Sequence, residues 1–149
     1  MPLVRLLSMA VTVALRQLHE ELRREGHGTL RPTHGYALNA VLNGRNTTSQ
    51  IAPAVGMTKQ GAAKLVQTLL EEGYLTIADA DAEDARVKAL ALTDRGREAI
   101  AASVRIQERI EAEWAALVGP RRMASARRAL DEAVRRSSSG ELPAVRLDW

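Results

Sequence analysis

The sequence predicts a mainly α fold with a small β-hairpin wing: a winged helix-turn-helix flanked by N- and C-terminal helices. Three observations predict it. Residues 46–72, NTTSQIAPAVGMTKQGAAKLVQTLLEE, hold two helical patterns parted by a glycine. Residues 74–92 hold two strand-like runs around an acidic turn. Long amphipathic patterns lie on either side of this block. Helix, turn, helix, hairpin, helix is the order of a winged helix.

The chain opens with residues 3–25, where Val4, Leu7, Val11, Ala14, Leu15, Leu18 and Leu22 recur at steps of three and four. That spacing makes one apolar stripe on a helix. Arg5 and Arg16 interrupt the stretch and it runs on into charged sequence, so it reads as a packing helix rather than a secretory signal. No apolar run is long enough to span a membrane. Residues 30–42, LRPTHGYALNAVL, give the next helical pattern.

Thr47, Thr48 and Ser49 then offer a cap for a short helix with Ile51, Ala52 and Val55 on its apolar face. Pro53 is expected to remove that helix's first hydrogen bond or to shift its start. Gly56 falls where the chain turns and a positive φ is favoured. Thr58 caps a second helix, whose inward positions are Ala62, Leu65, Val66, Leu69 and Leu70. Its outward positions near the start are Lys59, Gln60, Ala63, Lys64 and Gln67, short or cationic groups suited to base edges and phosphates. A helix of this kind enters the major groove with its N-terminal residues foremost. The expected DNA contacts are Thr47, Thr48, Thr58, Lys59, Gln60 and Lys64, with Arg86 and Lys88 from the hairpin. Any helical hairpin also shows caps, apolar spacing and a turn glycine, so the motif gains its force from the strand-like runs after it.

Gly73 ends the second helix, Tyr74 to Ile77 form a short strand, and Arg86 to Leu92 alternate between two faces. Asp79 to Asp84 make the turn between them, with Asp84 placed to hold Arg86. Thr93 and Asp94 cap a long helix over residues 94–118, with Ile100, Val104, Ile110, Trp114 and Leu117 on one face. Gly119 and Pro120 stop it. Residues 121–136 form a last helix, with Met123, Ala126, Leu130 and Val134 inward and three arginine pairs outward. Residues 137–149 read as a polar linker and tail.

GMTKQGAAKLVQTLLEEGYL (56–75), DAEDAR (81–86), LTDRG (92–96) and, more weakly, residues 30–42 resemble the MarR family of bacterial transcriptional regulators. The resemblance spans residues 5–136. It implies a homodimeric repressor that binds a double-stranded DNA operator and is released by a small-molecule effector. In such a chain residues 1–136 form one domain, with a DNA-binding winged helix over 30–95 and dimerisation helices over 3–25 and 94–136. The resemblance also implies an effector crevice lined by parts of residues 11–22, 33–42 and 100–110, with His19, His34 and Tyr36 as its polar candidates. For each of these three, a satisfied local hydrogen bond is the competing role.

Composition sets further bounds. The chain has 149 residues, no cysteine and no phenylalanine. Its core must therefore be Leu, Val, Ile and Ala, and disulfides and thiolate metal sites are excluded. A cytoplasmic location is expected. The net charge is +3, but residues 46–92 hold four Lys/Arg against six Asp/Glu. The expected DNA-reading segment is thus formally acidic, and few cations per subunit argue for binding as a dimer. The histidines His19, His27 and His34 match no metalloprotease spacing, and no phosphate loop or nucleophile elbow is present. No cofactor, no metal and no enzymatic activity are expected. The alternative function is a winged-helix module that binds protein, which would show larger apolar residues around Lys59, Gln60 and Lys64.

Overall fold

The computed structural model describes residues 1–78 and 89–138. Its elements are α1 (Leu3–Arg24), α2 (Pro32–Leu42), α3 (Thr48–Val55), α4 (Lys59–Glu71), β1 (Leu75–Ile77), β2 (Leu90–Leu92), α5 (Asp94–Val118) and α6 (Pro120–Ser137). β1 and β2 pair antiparallel, with Leu75 opposite Leu92 and Ile77 opposite Leu90. The backbone N–H of Leu90 also donates to the Asn46 carbonyl at 2.7 Å, tying the base of the hairpin to the loop before α3.

Two apolar clusters organise the chain. The larger joins α2, α3, α4, the hairpin and the start of α5 through Leu38, Ile51, Leu65, Leu69, Tyr74, Leu92 and Ala99. The smaller joins α1 to the middle of α5 through Leu18, Leu22, Ala102, Ile106 and Ile110. Helix α5 serves both, because Ala99 faces one cluster and Ala102 and Ile106 face the other. Ion pairs edge the α1–α5 contact: Arg105 with Glu25 at 2.6 Å, and Arg109 with Glu21 at 3.0 Å.

Parts of the apolar stripes stay open in one subunit, and on α6 so do the residues expected to face inward. Val4 is 76% exposed, Val104 50% and Leu117 83%. Helix α6 contains no buried residue, with Leu130 and Val134 exposed. Helical spacing identified an apolar stripe on each of these helices, but a single subunit has nothing to lay against the outer parts. The proline expectation also changes. Helix α3 starts at Thr48, so Pro53 sits inside it rather than at its first hydrogen bond. Eight residues are short enough to tolerate the missing N–H in mid-helix.

The passage from α4 into α5 is held by a close backbone contact. Thr93 Oγ1 accepts from the N–H of Gly96 at 3.0 Å and donates toward the Gly73 and Tyr74 carbonyls at 2.6 and 3.1 Å. A Cβ on Gly96 would lie 2.2 Å from the Tyr74 carbonyl oxygen. Gly96→Ala is therefore expected to cost about 1–3 kcal/mol of unfolding free energy, as overpacking against backbone does. Gly35→Ala, inside α2 with nothing within 4 Å of the new Cβ, is expected to gain about 0.5–1 kcal/mol. Urea denaturation of the two variants checks the opposite signs.

Candidate nucleic-acid interface

The helix-turn-helix is built from its caps. Thr47 Oγ1 accepts from the Gln50 N–H at 3.3 Å, while Gln50 Oε1 accepts from the N–H groups of Asn46 and Thr47 at 3.0 and 3.3 Å. This is a capping box, and it fixes the start of α3. Gly56 closes α3 at φ 69°, ψ 28°, the left-handed cap that glycine accepts at no steric cost. The Met57 N–H then reaches back to the Ala52 carbonyl at 2.9 Å. Thr58 starts α4 by accepting from the Gly61 N–H at 3.1 Å.

These caps aim α4. Ala62, Leu65, Val66 and Leu69 are buried, while Lys59, Gln60, Ala63, Lys64 and Gln67 are exposed on the opposite side. Gln67 is the exception among the outward polar groups, since its amide donates to Glu71 at 2.8 Å. Lys59, Gln60 and Lys64 carry no side-chain hydrogen bond or ion pair among the described residues. Thr58 stands exposed beside them, and Thr48 is half-buried. Thr47 and Thr58 each commit one lone pair to a cap, so each keeps its hydroxyl proton and its other lone pair for a ligand. Arg86, Lys88 and the turn residues Asp79 to Asp84 lie outside the described residues. Sequence reasoning missed Arg45, exposed in the α2–α3 loop beside Asn46 and the base of the hairpin. Its signal was present, because it is a lone cation in a polar loop next to the first cap.

A cavity of about 100 Å³ lies behind this face, where α1, α2 and α5 meet. Leu15, Leu18, His19, Leu22, Leu30, Arg31, Tyr36, Ile100, Ser103 and Gln107 line it. His19 and Tyr36 reach the cavity, and His34 does not. His34 Nδ1 instead accepts from the Arg31 N–H at 2.8 Å and holds the start of α2. Both ring nitrogens of His19 are buried without a hydrogen-bond partner among the described residues. Burial depresses its pKa, and the Leu30 backbone opposes that only in part. Burial also raises the Tyr36 phenol. Arg31, Ser103 and Gln107 were not singled out from sequence, because helical spacing does not reveal which polar groups converge from different helices.

The fold is that of several solved structures. Transcriptional regulator Tm0710 from Thermotoga maritima aligns with a TM-score of 0.72 at 22% identity, over 94% of this chain and 99% of that one. The Mycobacterium tuberculosis MarR family protein Rv2887, in complex with salicylic acid, gives 0.68 at 19% identity, over 89% and 96%. The Staphylococcus aureus MepR–DNA complex gives 0.63 at 18% identity, over 90% and 96%. No family profile and no curated protein sequence matches the chain.

The three histidines give the fold a pH dependence of known sign. Burial is the leading cause that lowers the pKa of His19, His27 and His34. Between the ordinary value near 6.5 and the lower folded values, the unfolded chain binds more protons than the native one. Stability is then fully present above pH 6.5 and declines as pH falls through that window. Urea denaturation at about pH 7.5 and 5.5 should give the smaller unfolding free energy at the lower pH, by at most about 1.4 kcal/mol for each histidine, because the lower pH lies about one unit below the unfolded value. Equal values at the two pH conditions would contradict the burial of these rings.

Proposed function

We propose that this chain is a MarR-family transcriptional regulator, a cytoplasmic and non-enzymatic homodimeric repressor that reads duplex DNA with α4. One observation carries the reading. The leading turns of α4 present Lys59, Gln60, Ala63 and Lys64 free of intramolecular partners among the described residues, while caps and a buried face fix the helix on a winged-helix scaffold. The fold likeness to MepR in complex with DNA supports it. The protein-binding alternative is disfavoured because the reading face offers no large apolar side chain among the described residues.

The two-fold assembly is supported by apolar surface that one subunit leaves open. Leu3, Val4, Leu6 and Met9 of α1, Leu117 and Val118 of α5, and Leu130 and Val134 of α6 are all exposed. Covering such side chains yields about 1.5–3 kcal/mol each when burial is complete. A second copy covers this surface and spaces two reading helices by about one DNA turn, ~34–36 Å. The cavity supports an effector site. The salicylic acid complex of Rv2887 makes a small aromatic acid the first class to try, with His19, Tyr36 and Arg31 as its polar contacts.

Selection of bound sequences from random duplex DNA tests the function directly, and failure to enrich any sequence would reject it. On the enriched duplex, Gln60→Ala should lose roughly 1–3 kcal/mol and relax choice at one base position per half-site. Equal weakening on every duplex would deny Gln60 a base-reading role. Leu7 is half-exposed and belongs to neither apolar cluster, so Leu7→Glu should leave the subunit folded. It should abolish dimers and operator binding together, because one half-site has too few phosphate contacts to hold alone. Sedimentation and titration of the same sample check this, and a Leu7→Glu monomer that still binds tightly would sink the dimer requirement.

A further inference from the structure

The seam between the α1–α5 arm and the reading unit is closed by a polar group of three side chains, His27 and Tyr74 buried and Arg95 reaching in from the surface. His27 follows the end of α1 and is 3% exposed. Its Nδ1 lies 3.0 Å from the hydroxyl of Tyr74, the fully buried residue that leads from α4 into β1. Arg95, in the first turn of α5, donates from Nη2 to the same hydroxyl at 3.0 Å and to the Gly26 carbonyl at 3.3 Å. Its Nε donates to the Glu72 carbonyl at 3.2 Å, at the end of α4. The guanidinium carbon stands 4.5 Å from the centre of the Tyr74 ring. One arginine thus fastens the end of α1, the end of α4 and the start of β1 to α5.

A guanidinium has only donors, so the Tyr74 hydroxyl accepts from Arg95. The hydroxyl proton is then free for His27, and a neutral imidazole can take it at a bare Nδ1, 3.0 Å away. A proton on Nδ1 reverses that bond, and the hydroxyl proton must turn elsewhere. The added proton would also place a second cation beside Arg95 on a ring that is itself buried. The other charged groups facing the ring are Glu98 from α5 and Glu25 from the end of α1, which favour the proton. Glu72, engaged by the Thr29 hydroxyl, faces the neighbouring Tyr74. Burial and Arg95 outweigh the acids, and the imidazole is held below its ordinary range.

We propose that His27, Tyr74 and Arg95 form the joint that sets the angle of α4 against the α1–α5 arm, and that protonation of His27 opens this joint and weakens DNA binding. The DNA clause rests on the function proposed above and names a regulation of the same site. His27 and Arg95 act as positioning residues, since neither lies on the reading face. The sign sets the effect apart from ordinary electrostatics. Acid adds positive charge and should tighten binding to a polyanion in general, whereas the joint loosens it.

The test uses the full chain and the duplex enriched from random DNA at about pH 7.5. Affinity is titrated from about pH 7.5 to 5.0 at constant ionic strength, with circular dichroism confirming the fold. The wild type should lose about tenfold for each pKa unit separating the closed from the open joint. His27→Gln should flatten the profile, because its amide is neutral throughout and its oxygen still accepts from Tyr74. Tyr74→Phe should also flatten it, from a weaker starting affinity. The chain has no cysteine of its own, so Gln67→Cys and Ala112→Cys accept paired spin labels on α4 and α5, with labelled subunits diluted into unlabelled protein. Without DNA, the label distance should shift or broaden in acid for the wild type and stay fixed with His27→Gln.

An acid response of equal size in His27→Gln overturns the proposal, as does a wild-type distance that ignores pH. If no duplex is enriched, the DNA function fails. The distances then judge the joint alone, upholding it if only the wild type responds to acid.

Discussion

The contact of the Gly96 backbone against the Tyr74 carbonyl is the constraint on which the rest of the molecule depends. A Cβ there would stand 2.2 Å from the oxygen, so only a residue with no side chain lets α5 start against the exit of α4. Thr93 completes the contact by capping α5 with one lone pair and bonding the Gly73 and Tyr74 carbonyls with its proton. Everything downstream inherits this placement. Ala99 reaches the larger core and Ala102 and Ile106 the smaller one because α5 begins where it does. The two cores are separate in composition yet mechanically continuous, since one stiff helix runs through both.

Charge follows from that frame rather than from composition. The segment 46–92 carries more acid than base, which by itself speaks against a polyanion partner. The acids near α4 sit at its far end and are engaged. Glu71 takes the Gln67 amide and Glu72 takes the Thr29 hydroxyl. Lys59 and Lys64 stand at the other end, next to the helix N-terminus, whose partial positive charge adds to theirs. What a phosphate meets is this local arrangement, because charges more than a Debye length away are screened at physiological salt. Two unpaired lysines per reading helix still make a weak footprint, and doubling it across a two-fold axis is the simplest remedy the chain has.

Local signals were legible in the sequence and long-range ones were not. The three threonine caps and the Gly56 turn could be read because a cap concerns a residue and its neighbours within four positions. The inward face of α4 could be read because one period governs it. Periodicity marked the stripes that hold Val4, Val104 and Leu117, but not which of their positions one subunit leaves open; for Leu130 and Val134, expected inward and found exposed, it failed. His34 was a ligand candidate through resemblance alone, and it takes the competing role of a local hydrogen bond, since a capping histidine and a ligand-facing one look alike at a helix start. Tyr74 read as a strand residue on a half-buried surface. It is instead a buried hydroxyl shared by residues 47 positions before it and 21 after it. Convergence of that kind leaves no trace in spacing.

The cavity and the polar joint occupy two sides of one seam, and this bears on how occupancy would be felt at α4. A space of about 100 Å³ is somewhat smaller than the roughly 150 Å³ that admits a benzene ring in a rigid protein. An aromatic ligand seated wholly inside would have to move α1, α2 or α5 outward by a small amount. Packed interiors do not yield smoothly, so the displacement goes where contacts are fewest. The α1–α5 face has its own apolar core and two ion pairs, whereas the segment after α1 meets the exit of α4 through polar contacts: Arg95 and His27 with Tyr74, and Thr29 with Glu72. Ligand pressure in the cavity and a proton on His27 then strain the same few hydrogen bonds. On the proposed effector site and joint, ligand and proton would be thermodynamically coupled, each lowering the cost of the other through one shared movement of α4.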